Sequence, residues 1–167
     1  MIPGRNVLND FNLYPEGSNM ENGIFCQRYF VDDEFVEVLD MQILQGRNFD
    51  HSRDAEHNER ILINLAGLNH LGILPEEAVG KKLYTEWEGE VWNFEIIGVI
   101  NDFHQLSLHQ AINPMVFHLG EPHHFSYLVA SVSPAAMPEA LEAIERNWKA
   151  VNPDLPFEYV FLDERVQ

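Results

Sequence analysis

Asn101, Asp102 and His104 are the residues whose types and spacing could do chemistry. One residue separates Asp102 from His104, so an extended backbone turns both side chains the same way, as a His-Asp pair in hydrolysis or metal binding requires. A nucleophile would have to come from elsewhere, and the chain contains no Gly-x-Ser-x-Gly elbow. The competing reading is architectural, with Asp102 and His104 bonding backbone groups where a strand ends.

Other chemical patterns are weaker. The histidines at His51, His57, His70, His104, His109, His118, His123 and His124 contain no His-Glu-x-x-His and no pair four residues apart. Cys26 stands alone, so it can build neither a Cys-rich zinc site nor an internal disulfide, and is expected as a small buried side chain. Gly46, Gly72, Gly80, Gly89, Gly98 and Gly120 occur singly and make no phosphate cradle. The acidic residues are spread rather than arranged as a calcium loop. With 10 Lys+Arg against 27 Asp+Glu, the net charge of −17 repels nucleic-acid phosphates and anionic membrane surfaces.

The elements that position the Asp102 corner are read from periodicity. Trp92, Phe94 and Ile96 alternate with Asn93 and Glu95, then Ile96 to Ile100 is apolar on both faces apart from Gly98, a strand covered on both sides near its exit. Earlier, residues 1–23 read as irregular, Ile24 to Val31 as a strand, Phe35, Val36 and Leu39 as a short helix capped by Asp32 or Asp33, and Met41 to Leu44 as extended. Residues 50–60 read as a polar linker. Arg60 to Ile63 predicts a strand, Asn64 an N-cap, Leu65, Leu68 and Leu71 one side of a helix, and Gly72 its stop. Leu83 to Trp87 and Val91 to Ile100 flank a hairpin turn at Glu88-Gly89. Gln105 to Asn113 reads as a connector and Pro114 to Leu119 as a strand, placed at an edge by its proline. Phe125 to Val132, a helix striped by Leu141, Ile144, Trp148 and Val151, and Phe157 to Leu162 predict a right-handed crossover with parallel strands. At 167 residues and 46% hydrophobic content this is one domain or two small intimate ones. The loop at Met1-Ile2-Pro3-Gly4 and the stop after a strand suggest a piece of a longer protein.

Six short motifs carry a resemblance. They are Phe30-Val31-Asp32-x-x-Phe35-x-x-x-Leu39, Leu44-x-Gly46-Arg47-x-Phe49, Ile61-x-Ile63-Asn64, Val79-Gly80-Lys81-x-Leu83, Ile97-Gly98-Val99-x-x-Asp102-Phe103-His104-x-x-Ser107-Leu108-His109, and Pro153-x-x-Pro156-Phe157-x-Tyr159-x-Phe161-Leu162-Asp163. In this order they resemble the extracytoplasmic core domain of MacB/FtsX-like ABC transporter permeases, with Leu65 where that family would have an acidic residue. The resemblance implies a two-lobed, mixed α/β (α+β) fold. A discontinuous porter-like βαβ lobe, residues 24–49 with 125–163, would carry a small mixed α/β lobe, residues 55–122, inserted in its middle. It also implies a dimeric membrane-spanning parent, with residues 164–167 leading to a transmembrane helix, and a cytoplasmic ATPase. Beyond the membrane it implies an adaptor, carrier protein or cell-wall hydrolase as partner. No catalytic, cofactor or metal residue is implied; Gly46, Arg47, Asn64, Gly80, Gly98, Asp102, Phe103 and His104 would be structural, with Gly98 admitting a close neighbour and Phe103 plugging the core. A soluble hydrolase or small-molecule-binding domain built on Asp102 and His104 is the alternative.

Overall fold

The computed structural model describes residues 10–55, 59–103 and 112–161. Its strands are β1 (Asp10–Pro15), β2 (Ile24–Val31), β3 (Ile43–Gly46), β4 (Arg60–Asn64), β5 (Lys82–Trp87), β6 (Glu90–Ile100) and β7 (Met115–Leu119). The α-helices are α1 (Phe35–Val38), α2 (His51–Asp54), α3 (Leu65–Leu71) and α4 (Met137–Val151). The strands form one mixed sheet in the order β3-β6-β4-β7-β2-β1-β5, and β5 also pairs with β6. Six of the seven strands therefore close into a ring, and β3 lies outside it. The pairs β2–β7 and β4–β6 are parallel and the others antiparallel.

β6 makes the closure possible through its length. Glu95 pairs with Arg60 of β4 on one edge and Lys82 of β5 on the other. Beyond β5 that second edge is taken by β3, which pairs Gly46 with Gly98 and Ile43 with Ile100.

The core follows from the ring. Leu13, Cys26, Ile61, Leu83, Ile96 and Val116, one from each ring strand, are at most 2% exposed and lie in a single cluster. Side chains of six strands in a ring meet in one cluster only if they point inward, so this is the lumen. Ile63 joins them from β4, and Leu68 of α3 packs against the same group. Burying each such Leu or Ile contributes about 1.5–3 kcal/mol. Cys26 is buried as expected, its Sγ 3.0 Å from the Phe11 carbonyl oxygen. A second cluster on the outer face combines Tyr29, Val31, Leu62, Ile97, Met115 and Phe117 with Phe35 and Val36 of α1. The two clusters account for the continuous apolar run of Ile96 to Ile100, which is covered on both faces.

Several expectations are corrected. Asp10–Pro15, inside the stretch read as irregular, is a strand paired with β2 and β5; the alternation of Phe11 and Leu13 with Asn12 carries it despite the Asn, Asp and Pro around it. Residues 50–60 are not all linker, because Asp50 accepts from the Ser52 N–H at 3.0 Å and caps α2. Helix α1 has Glu34 at its N-cap position, with no side-chain cap bond, while the Asp33 carboxylate accepts from the His51 N–H.

β7 is central rather than an edge, lying between β4 and β2. Pro114 precedes the strand, so its missing N–H removes no ladder bond, and its carbonyl accepts from Gln27 N at 2.9 Å. Residues 125–132 and 157–161 have strand composition but form no strand, and the expected crossover around α4 is not made. An isolated strand cannot satisfy its backbone, and neither stretch pairs with a strand of the sheet. The strands of residues 24–49 therefore hydrogen-bond with those of residues 60–119, not with residues 125–161. Residues 164–167 lie outside the described residues.

Candidate functional site

The strand exit is organised by Asn64, which is fully buried. Its Oδ1 accepts from Gly67 N at 3.0 Å, capping α3, and from Met115 N at 2.8 Å, the start of β7. Its Nδ2 donates to Asp102 Oδ1 at 2.9 Å and to the Asn113 carbonyl at 3.0 Å. Both donors and both acceptor positions of the amide are thus used. Asp102 Oδ1 also accepts from Ala66 N at 2.9 Å, so this oxygen closes the first turn of α3 onto the end of β6. Asn101 Oδ1 accepts from the Asp102 N–H at 2.9 Å. The structure brings Asn64 and Asp102 together; His104, His109 and Ser107 lie outside the described residues. Phe103 is partly buried against the outer cluster, its ring 6.3 Å from that of Phe117. It covers the core edge rather than filling the core.

A second constellation lies where β3 crosses β6. Gly46 and Gly98 face each other in register, Gly46 at φ +74°. A Cβ on Gly98 would overlap the Arg47 carbonyl oxygen, and one on Gly46 would overlap that of Ile97, so both positions exclude side chains. Gly80 holds φ +85° with open space around it, and its N–H donates to the Ile96 carbonyl at 2.8 Å. The expectation of a close neighbour at Gly98 agrees with this crossing.

Arg47 continues from the crossing into an ion network built around one buried carboxylate. Its guanidinium reaches both oxygens of Asp54, Nη1 at 2.6 Å and Nη2 at 2.9 Å, while Arg60 Nη1 reaches Oδ1 at 2.5 Å. The Asp54 side chain is 0% exposed and also accepts from the Asp50 N–H at 2.9 Å. The bonds from Arg47 and Arg60 hold its carboxyl far below the usual carboxylate range. Asp54 is the residue most thoroughly missed by sequence reading: only the convergence of Arg47 and Arg60 on its carboxylate distinguishes it from the polar residues around it.

The exposed apolar residues form a different kind of surface. Glu88 and Gly89 both take positive φ, the conformation of a tight hairpin turn. Trp87, Val91 and Trp92 at this tip are 71%, 61% and 53% exposed. Trp92 was expected on the dry face with Phe94 and Ile96, but β6 extends past the ring before the packing begins, which leaves it outside. Three carboxylates, Glu86, Glu88 and Glu90, alternate along this tip. Helix α4 likewise contains no buried residue, with Trp148 and Val151 exposed. Among the described residues no group of three metal-ligating side chains occurs, and no helix is long and apolar enough to cross a membrane.

Replacing Asn64 by Asp preserves size but removes both donors and sets a carboxylate against Asp102. Urea unfolding is expected to show a loss of about 3 kcal/mol or more, against roughly 1–2 for Asp102→Asn; equal, small losses would show that the amide is not a junction. Asp54→Asn is expected to cost about 2–3 kcal/mol at neutral pH. Since the folded pKa of Asp54 lies below its unfolded value, its contribution is complete above ~pH 4 and is lost as pH falls further towards the folded pKa. The gap between wild type and Asp54→Asn should therefore narrow in acid, and a pH-independent gap would remove the ionic network from the account.

No protein-family model matches the chain, and no curated protein sequence matches it. Solved structures do. The periplasmic region of MacB from Actinobacillus actinomycetemcomitans superposes with TM-score 0.63 and 12% identity, covering 93% of this chain and 69% of that one. A domain of a putative permease from Porphyromonas gingivalis gives TM-score 0.52 and 15% identity over 99% and 85% of the two chains. The extracellular domain of the noncanonic ABC-type transporter YknZ from Gram-positive bacteria gives 0.56 and 11% over 87% and 72%. The ordered motifs and these superpositions agree: the chain has the fold of the extracytoplasmic domains of MacB-like ABC transporter permeases.

Proposed function

We propose that this chain is the non-catalytic extracytoplasmic domain of an ABC transporter permease of the MacB/FtsX type. It couples cytoplasmic ATP hydrolysis to export, lipoprotein release or cell-envelope signalling by touching a partner or substrate outside the membrane. The parent is a dimeric inner-membrane protein served by a cytoplasmic ATPase. The observation that carries this reading is the fold likeness to the MacB periplasmic region across 93% of the chain. The chemistry of the strand exit fits it, since Asp102 Oδ1 is engaged by two N–H donors and serves as a structural acceptor. For contact, the exposed Trp87 and Trp92 offer a rigid aromatic tip of the kind that dominates binding energy at protein interfaces.

The test uses the full-length permease with its ATPase in proteoliposomes. Trp87→Ser with Trp92→Ser is expected to leave basal ATP hydrolysis intact and to weaken stimulation by the extracytoplasmic partner or substrate roughly tenfold or more. Unchanged stimulation would remove the hairpin from the contact surface. The isolated domain is expected to hydrolyse neither ATP nor generic esters and phosphoesters; reproducible turnover abolished by Asp102→Ala would overturn the non-catalytic reading.

A further inference from the structure

The tip of the β5–β6 hairpin carries two indoles and a carboxylate on one face. Register pairs Trp87 with Glu90, Thr85 with Trp92 and Leu83 with Phe94. Side chains alternate along a strand and directly opposed residues share a face, so all six lie on one side of the hairpin. Leu83 belongs to the lumen cluster and Phe94 packs against it, which makes this the lumen-facing side. The pairings of β5 with β1 and of β6 with β4 reach only Tyr84 and Glu95. Past them the face opens to solvent, with Trp87 71% and Trp92 53% exposed and Glu90 exposed between them.

The register also sets the spacing. Directly opposed side chains leave the backbone about 5 Å apart and diagonal ones roughly 7–8 Å apart. Glu90 is opposite Trp87 and two residues before Trp92 on the same strand, and the two indoles are diagonal to each other. A planar group stacked between two ring faces needs about 3.5–4 Å to each. The diagonal separation therefore suits one flat cation, with the Glu90 carboxylate at its edge. Glu88 and Gly89, both at positive φ, make the two-residue turn that fixes this register.

Charge selects the occupant. From Leu83 to Phe94 the chain carries Glu86, Glu88 and Glu90 and no Lys or Arg, within a molecule of net charge −17. That field attracts cations and repels an anionic bilayer or the same tip of a second copy. Among cations, a guanidinium serves both halves of the face: it is flat enough to stack on an indole, and its fork meets the two oxygens of a carboxylate. An ammonium is a compact, strongly hydrated point charge and serves only one half at a time.

We propose that Trp87, Glu90 and Trp92 form a receptor for one arginine side chain of a basic segment on a partner protein. This deepens the contact reading of the hairpin and rests on it, by naming the chemistry of what the tip touches.

The test follows the indole Nε1–H signals of the 3 tryptophans in the ¹⁵N-labelled chain at low ionic strength, assigned with Trp87→Phe and Trp92→Phe. Trp148, on α4, is the internal control. The probes are a blocked pentapeptide with one central arginine and its lysine and citrulline counterparts. The arginine peptide is expected to shift the Trp87 and Trp92 signals saturably and to leave Trp148 in place. The lysine peptide should need a several-fold higher concentration, and the citrulline peptide should produce no shift. Glu90→Gln, which keeps both indoles, and Trp92→Leu, which keeps the carboxylate, should each weaken binding several-fold, their folding checked by the amide spectrum.

The proposal is overturned if the arginine peptide shifts neither signal, if lysine or citrulline matches it, if Trp148 responds at the same concentration, or if Glu90→Gln leaves binding unchanged. Shifts produced by neutral phosphatidylcholine vesicles or by raising the chain's own concentration, in place of the peptide, also overturn it and assign the tip to a bilayer or a second copy. Its failure is separable from that of the contact reading. Loss of ATPase stimulation in Trp87→Ser with Trp92→Ser, without arginine binding by the domain, keeps the contact and removes arginine as its chemistry. Arginine binding with unchanged stimulation keeps the receptor and removes its part in transport.

Discussion

Closure of the sheet is the constraint on which the rest of this structure depends. A six-strand ring leaves room for little more than its own inward side chains, so each strand contributes at least one closely packed apolar residue there. It also satisfies the strands' backbone groups around the circle, which confines the remaining chain to the ends and the outside. Helix α1 and the β3 crossing then cover one outer face, and α3 packs against the lumen cluster from the end of β4.

Closure by hydrogen bonds alone would leave the ends of the strands loose. The junction at Asn64 and the network at Asp54 tie them. One amide joins the exit of β6, the start of β7 and the first turn of α3. One carboxylate joins the loop after β3, helix α2 and the beginning of β4. In both cases a small polar group is buried with its partners in place, the condition under which a polar interior stabilises a fold. The Gly46–Gly98 crossing connects the two, since Arg47 follows Gly46 and lies against Gly98.

Legibility in the sequence divides along the line between local and distant causes. The N-cap at Asn64, the left-handed stop at Gly72, the turn at Glu88-Gly89 and the doubly covered end of β6 were all readable, because each is set by residues within a few positions. Ring closure was not, because no periodicity reveals that β5 serves both β1 and β6. Asp54 was unreadable for another reason: Arg47 and Arg60 are near it in sequence, but no periodicity turns both onto one carboxylate. Residues 125–132 and 157–161 illustrate the converse, since strand composition forms no strand without a pairing partner. Within the candidate corner, the Asp102 backbone contact followed from strand-exit logic, whereas its pairing with Asn64 across 38 positions required the fold.

The length of β6 has a mechanical consequence. Its eleven residues span about 36 Å, with a register shift against β4 at Ile97, from the exposed tryptophans at the hairpin to the corner held by Asn64. A load applied at the tip along the strand is opposed by the ladders to β5, β4 and β3 in shear, with many hydrogen bonds strained together rather than one after another. The strand thus links the hairpin tip to the corner at which Asn64 joins α3 and β7.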